Sequence, residues 1–239
     1  MKKILALLLI VLCSFSLVAC KDDSEGSTDT QNASAEVINR IADMFETSTP
    51  TKTIVGTTQT AGDTILEGEY ILITGEVDGK EAATYYYNYD RLISVDESGA
   101  LDYVTGTVVT ETIYKEYLEG KGVRIDGGAW DASLENFAPA GGPMSLNLST
   151  DLISKSNYDE ATKTLSCIIA KDKTAEVLKQ ANDLTVDVAI EIVNDGASIT
   201  SVTITYVIPA NGKNPEISVE IKAFYTYDLE IIRIDTNEG

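Results

Sequence analysis

From Thr53 to Tyr227 the chain returns repeatedly to short runs in which threonine, valine, isoleucine and tyrosine alternate with polar residues, each run closed by a turn dipeptide. A period of two places successive side chains on opposite faces of an extended strand, and tight turns between such runs join antiparallel neighbours. Thr185 to Val193 alternates most cleanly, with Val186, Val188, Ile190 and Ile192 on one side and Asp187 and Glu191 on the other. Asn194-Asp195-Gly196 turns it into Ile199 to Ile208, where Val202, Ile204, Tyr206 and Ile208 share a face, and Asn211-Gly212 leads to Ile217 to Tyr227. Upstream, Lys52 to Thr60 ends at Ala61-Gly62-Asp63, and Glu69 to Val77 and Glu81 to Asp90 flank Asp78-Gly79, a two-residue hairpin signal. The fold class is therefore α+β and mainly antiparallel β.

Two segments break the strand pattern. Ser34 to Thr47 spaces Val37, Ile38, Ile41, Met44 and Phe45 along one helical face, with Ser34 as N-cap and Pro50 as the stop. After a strand at Leu165 to Ala170, Lys171 to Ala181 suits a short helix capped by Asp172. Between residues 101 and 148 the strand order stays open: Val104 to Ile113 reads as strand, Trp130 to Phe137 as a short helix and Pro139 to Pro143 as a loop. A faint echo joins Tyr86-Tyr87-Asn88-Tyr89-Asp90 to Phe224-Tyr225-Thr226-Tyr227-Asp228. Cross-strand aromatic pairing explains such a pattern, and so does a tyrosine-lined groove.

The N-terminus carries an address. Lys2-Lys3 precede an apolar run from Ile4 to Val18, too short to span a bilayer as a helix and ending in Leu17-Val18-Ala19-Cys20. The four residues resemble a bacterial lipobox, which implies removal of residues 1–19 and diacylation of Cys20. Cutting there removes Cys13, and with Cys20 lipidated Cys167 has no partner, so a disulfide framework is not expected. Residues 20–33 form a lipidated cysteine and a polar spacer, and residues 34–236 the folded domain. Acyl chains, not a basic patch, would anchor the protein at the outer face of the cell membrane, because its net charge of -20 is repelled by anionic lipid.

The same charge excludes nucleic acid as a partner, since a phosphate backbone needs cations to release its counterions. The chain has no histidine, which removes Ser-His-Asp and Cys-His catalysis and most zinc sites with imidazole ligands. Phosphate-binding glycine loops, nucleophile elbows and Cys-x-x-Cys pairs are absent from the sequence. Asp126 with Asp131 is a conceivable glycosidase pair, but 38 acidic residues guarantee accidental pairs. Asp78-Gly79, Asp126-Gly127 and Asp195-Gly196 lack the acidic ladder of a calcium loop and read as turns. Cys167, between apolar neighbours, reads as a small buried hydrophobe, and Trp130 as a core residue or a stacking platform. No cofactor, metal or enzymatic activity is expected.

The order of lipobox, polar spacer, amphipathic helix, hairpins, helical interruption and closing three-strand run resembles the LolA/LppX-type lipoprotein carriers. The residues that carry the likeness are Ser34 to Thr47 with Thr49-Pro50, Leu165 to Ala181, and Val186 to Asp228. The resemblance implies a curved, open half-barrel sheet with helices covering its concave face, and an apolar cavity between them that binds or carries the acyl chains of a lipid or lipidated ligand. From the alternation, Tyr70, Leu72, Val186, Val188, Ile190, Val202, Ile204 and Tyr206 on the strands, with Ile41, Met44 and Phe45 on the helix, are the candidate cavity residues. The same residues would equally build a filled core, in which case the protein is a surface interaction or scaffold lipoprotein whose loops meet a protein or glycan partner in the envelope.

Overall fold

The computed structural model describes residues 33–93, 103, 106–133, 146–178, 184–212, 214–228 and 232–234, which belong to one compact unit, Asn32–Gly239. The expected signal segment, Cys20, the spacer up to Asn32 and the loop Pro139 to Pro143 lie outside the described residues.

Helix α1 spans Ala35–Thr47, and the Ser34 hydroxyl accepts a hydrogen bond from the Val37 amide, satisfying one of the helix's unpaired donors. Its buried stripe is Ile38, Ile41 and Met44. The strands are β1 Lys52–Ala61, β2 Thr64–Val77, β3 Lys80–Leu92, β4 Val108–Leu118, β5 Gly122–Ile125, β6 Ile153–Asp159, β7 Thr164–Ile169, β8 Val188–Asn194, β9 Ile199–Ile208 and β10 Ile217–Thr226; helix α2, Thr174–Leu178, lies between β7 and β8.

All ten strands form one open sheet in the order β5-β4-β3-β2-β1-β10-β9-β8-β7-β6, with every neighbouring pair antiparallel. Two five-strand meanders are thus joined at the centre, where β1 pairs β10 over its whole length, from Lys52 opposite Thr226 to Ala61 opposite Ile217. Among the described strands that junction is the one pairing between strands far apart in the chain. Asp78 and Gly79 both have positive φ, +53° and +74°, which is the twist a two-residue hairpin between β2 and β3 requires. Gly122 (φ +88°) is obligatory for a different reason: a Cβ there would stand 2.2 Å from the Asp131 carbonyl oxygen, where Val123 and Asp131 form a bridge beside β5.

Register decides the two faces. Tyr87, Tyr70, Val55, Ala223, Val202, Ile192 and Leu165 align in one row through seven strands. This core face joins a single buried cluster with Ile41 and Met44 of α1, Val177 of α2 and Leu146, Leu148 and Leu152. Burying each large aliphatic side chain stabilises by roughly 1.5–3 kcal/mol, which makes this cluster the main source of stability in a chain whose described cysteine is unpaired. On the opposite, outer face a smaller cluster forms where Ile232 and Ile234 pack on Ala82 and Leu118, flanked by Ile73, Val77 and Trp130.

Several boundaries differ from the sequence reading. β4 runs from Val108 to Leu118 instead of ending at Ile113, because its partner β3 carries the ladder on through Glu111, Lys115 and Glu116, charged positions that hide the alternation. β2 starts at Thr64, five residues before Glu69. β8 starts at Val188, so Val186 sits in a bend before it, half-buried, its carbonyl accepting from the Thr174 hydroxyl. α2 begins at Thr174, two residues beyond Asp172, which lies in the preceding turn. Of the short helix expected at Trp130 to Phe137, residues 130–133 form a bridge and a turn, and the remainder lies outside the described residues. β5 and β6 were not anticipated: β6, Ile-Ser-Lys-Ser-Asn-Tyr-Asp, has almost no apolar alternation and becomes a strand because β7 offers it a free edge.

Candidate binding surfaces

The sheet brings most of the sequence-derived cavity residues together. Ile41, Met44, Tyr70, Leu72, Val188, Ile190, Val202 and Ile204 are all buried in the main cluster, and Phe45 and Tyr206 pack half-buried against it. Val186 stands apart from this group as described above. Ile41, Val188 and Val202 have no exposed surface at all. A groove of about 770 Å³ lies along α1, but on its outward side, lined by Glu36, Asn39, Arg40, Asp43 and Thr47 and sharing only Met44 with the cluster. Glu36, Arg40 and Asp43 place charge around it, which favours water or an ionic group over a buried acyl chain.

The feature with chemistry of its own is a file of tyrosines on the core face of β2 and β3. Tyr85, Tyr87 and Tyr89 are spaced by two along β3, so they share a face, and Tyr70 stands directly across from Tyr87 on β2. Ring centroids are 5.9 Å apart for Tyr70 and Tyr85, 6.1 Å for Tyr85 and Tyr87 and 4.5 Å for Tyr87 and Tyr89, the last two pairs stacked. The file begins in the interior, where Tyr70 and Tyr85 are buried, and runs outward to half-buried Tyr87 and Tyr89. It ends in charge, because Tyr89 donates its hydroxyl proton to Glu111, which also pairs with Arg91. Burial pushes the phenols of Tyr70 and Tyr85 up to about 12, helped by the neighbouring rings' hydroxyls. The hydrogen bond from Tyr89 holds the Glu111 carboxyl below its usual range, with Arg91 contributing, and raises the Tyr89 phenol in turn. The signal for this file was present in the sequence as Tyr-x-Tyr-x-Tyr at positions 85, 87 and 89, where the adjacent Tyr86 obscured the period.

The echoed motif near the C-terminus has the same face assignment. Phe224 and Tyr86 both point to the outer face and lie in one cross-strand row, while Tyr225 is buried on the core face in the row of Tyr85. The Tyr225 hydroxyl is buried without a hydrogen-bond partner among the described residues, and burial raises its pKa strongly. Tyr227 donates to the Ile199 carbonyl at 2.8 Å.

The remaining candidates are structural. Asp126 accepts from the Tyr114 amide of β4 at 2.9 Å, tying the end of β5 to its neighbour, and Asp131 accepts from the Ser133 amide and hydroxyl within its own turn, which depresses its pKa. Asp195 accepts from the Ala197 and Ser198 amides in the β8–β9 turn. Among the described residues no three acidic, cysteine or histidine side chains are placed to hold a metal ion. Trp130 lies beside the Arg124 guanidinium, 4.7 Å from it, and Arg124 is paired in turn with Glu116 directly across the β4–β5 ladder. Cys167 faces the core, and burial pushes its thiol up to about 12. The thiol should therefore resist iodoacetamide in the folded protein and be alkylated only as the sheet unfolds; rapid labelling of the native chain contradicts this placement.

These features define a class: an open, ten-stranded, antiparallel sheet with few helices and, among its described residues, no cluster placed to hold a metal ion. No family model and no curated protein matches the chain. Two solved structures are similar over most of their length. One is a DUF1329 family protein from Desulfovibrio piger ATCC 29098, 10% identical over 84% of this chain and 96% of that one, with a TM-score of 0.24. The other is the MucA/MucB complex of Pseudomonas aeruginosa, 9% identical over 79% of this chain and 92% of that one, with a TM-score of 0.14.

Proposed function

We propose that this is a non-catalytic protein, lipid-anchored at the outer face of the cell membrane by an acylated Cys20, that binds an amphipathic, acyl-bearing ligand along the tyrosine file of its core face. The observation that carries the reading is the exposure gradient of that file: buried at Tyr70 and Tyr85, half-open at Tyr87 and Tyr89, and ending at the Glu111–Arg91 pair, with the Lys115 ammonium 6.0 Å from the Tyr85 ring centroid on the same face. An acyl chain gains about 0.8 kcal/mol for each methylene it buries, and a polar headgroup gains from charge-assisted hydrogen bonds at the open end. An open sheet of ten twisted strands curls as it widens. This supports the half-barrel expected of a LolA/LppX-type carrier, with α1, α2 and their connections over its concave side. The ligand would enter beside the helices at the β2–β4 end, where the file opens.

The test uses the acylated full chain extracted in mild detergent. Native mass spectrometry should detect a retained lipid beyond the covalent anchor, and a fluorescent polyene fatty acid should compete with it. Tyr87→Ser with Tyr89→Ser should weaken the fatty acid about tenfold or more, in keeping with the loss of two stacked rings. A ligand-free mass together with no fatty-acid binding ends the proposal.

A further inference from the structure

The outer face of the sheet carries a row that neither the fold nor the tyrosine file uses. Tyr114, Tyr86, Ile71, Ile54 and Phe224 stand directly opposite one another across β4, β3, β2, β1 and β10. Phe224 is 52% exposed, and the other four are half-buried. At about 4.8 Å between strands the row is about 19 Å long and one side chain wide. We propose that it is the docking surface for a basic amphipathic helix of a partner protein.

Length, polarity and charge all favour that occupant. A helix covers about 19 Å in 12 or 13 residues at 1.5 Å each, and its apolar stripe of i, i+3, i+4 and i+7 positions is as narrow as the row. The ground on either side differs. Toward one end of the strands the row adjoins Ile73, which packs on the cluster that Ile232 and Ile234 already cover at Ala82 and Leu118, so the open apolar ground ends there. Toward the other, Glu69 stands opposite Asn88, and beyond it the Glu67 amide donates to the Asp90 carboxylate at 3.1 Å. The lysine of this flank, Lys222, is already paired with Glu220 at 2.8 Å, so the flank stays negative. Lysines or arginines along one edge of the helix's stripe would meet these carboxylates. A second copy of the chain, at net charge -20, would bring like charges to the same contact, and an anionic bilayer is repelled for the same reason. An added strand is not the occupant, because this surface offers side chains and no open backbone edge.

The test uses the full chain tethered in phosphatidylcholine vesicles, with protein-free vesicles subtracted. The probe is a peptide of about 14 residues made of leucine and lysine with the leucines on one helical face. It should bind, whereas a scrambled peptide of the same composition and a leucine-glutamate version should bind at least about tenfold more weakly. Phe224→Ser should cost about tenfold in affinity without moving the thermal midpoint, since the ring is exposed, and Glu67→Lys with Glu69→Lys should weaken binding and flatten its salt dependence. Equal binding of the scrambled peptide overturns the proposal, as does an undiminished affinity of the Phe224 variant. So does a concentration-dependent dimer that Phe224→Ser dissolves, because a second copy would then be the occupant.

Discussion

Replacing Ile192 by alanine is expected to destabilise the protein by about 3–5 kcal/mol, the upper part of the range for isoleucine truncation in a packed core. Ile192 has 0% exposure and sits in the long core-face row between Val202 and Leu165. Removing its outer carbons loses their transfer free energy and leaves a void that two flanking strands, each hydrogen-bonded on both sides, are poorly able to close. Ile65→Ala is the control: 53% exposed on the outer face of β2, it should change stability by no more than about 0.5 kcal/mol. Chemical denaturation of the two variants, compared at unchanged slope, reads both effects. The result also bears on function. A loss below about 1 kcal/mol for Ile192→Ala would mean that the residue already borders open space, moving the acyl site from the tyrosine file to the β7–β9 half of the core face.

Alkaline pH is expected to unfold the protein steeply above pH 10. Burial favours the neutral forms of Tyr70, with a pKa of about 12, of Tyr225, raised further, and of Cys167, at about 12, against ordinary values of 10 for phenols and 9 for the thiol. The folded protein therefore keeps protons that the unfolded chain has released. The stability these groups contribute is complete below their unfolded values and is lost as pH rises from there through their folded values. Each such proton is worth about 1.4 kcal/mol per pH unit, so the three together remove about 4 kcal/mol per unit between pH 10 and 12. A domain of this kind is stable by only about 5–15 kcal/mol, so the roughly 8 kcal/mol lost over these two units unfolds a protein in the lower half of that range and leaves a more stable one marginal. Phenolate absorbance should rise in two stages, exposed tyrosines first and buried ones in step with the loss of far-ultraviolet circular dichroism. A single smooth titration near pH 10 with the dichroism intact would contradict the burial of this aromatic interior.

Much of the local architecture could be read from residue order. Ser34 and Pro50 delimit α1, and Asp78-Gly79 and Asn194-Asp195-Gly196 mark hairpins, because a cap or a tight turn is decided by a few adjacent residues and their allowed φ. Where the signal was diluted, the reading failed. β4 alternates apolar residues with Glu111 and Lys115 on the same face, and β6 is nearly all polar, so neither announces its period. Such strands exist through the backbone hydrogen bonds their neighbours supply, which local pattern does not encode. The tyrosine file was legible only in part, because Tyr85 to Tyr89 is almost continuously aromatic and the facing residue, Tyr70, lies on another strand.

What residue order alone determined is therefore a mainly antiparallel protein with one capped amphipathic helix, a strongly acidic surface and no histidine chemistry, all properties of single residues or short windows. Only the tertiary structure decided that β1 and β10 meet at the centre of one ten-stranded sheet, and that Phe224 and Tyr86 share an outer-face row while Tyr70 and Tyr85 sit inside. The physical reason is distance along the chain. Pairing β1 with β10 depends on a loop-closure cost and a packing gain that involve every strand between them, and the choice of which face is covered follows from that pairing.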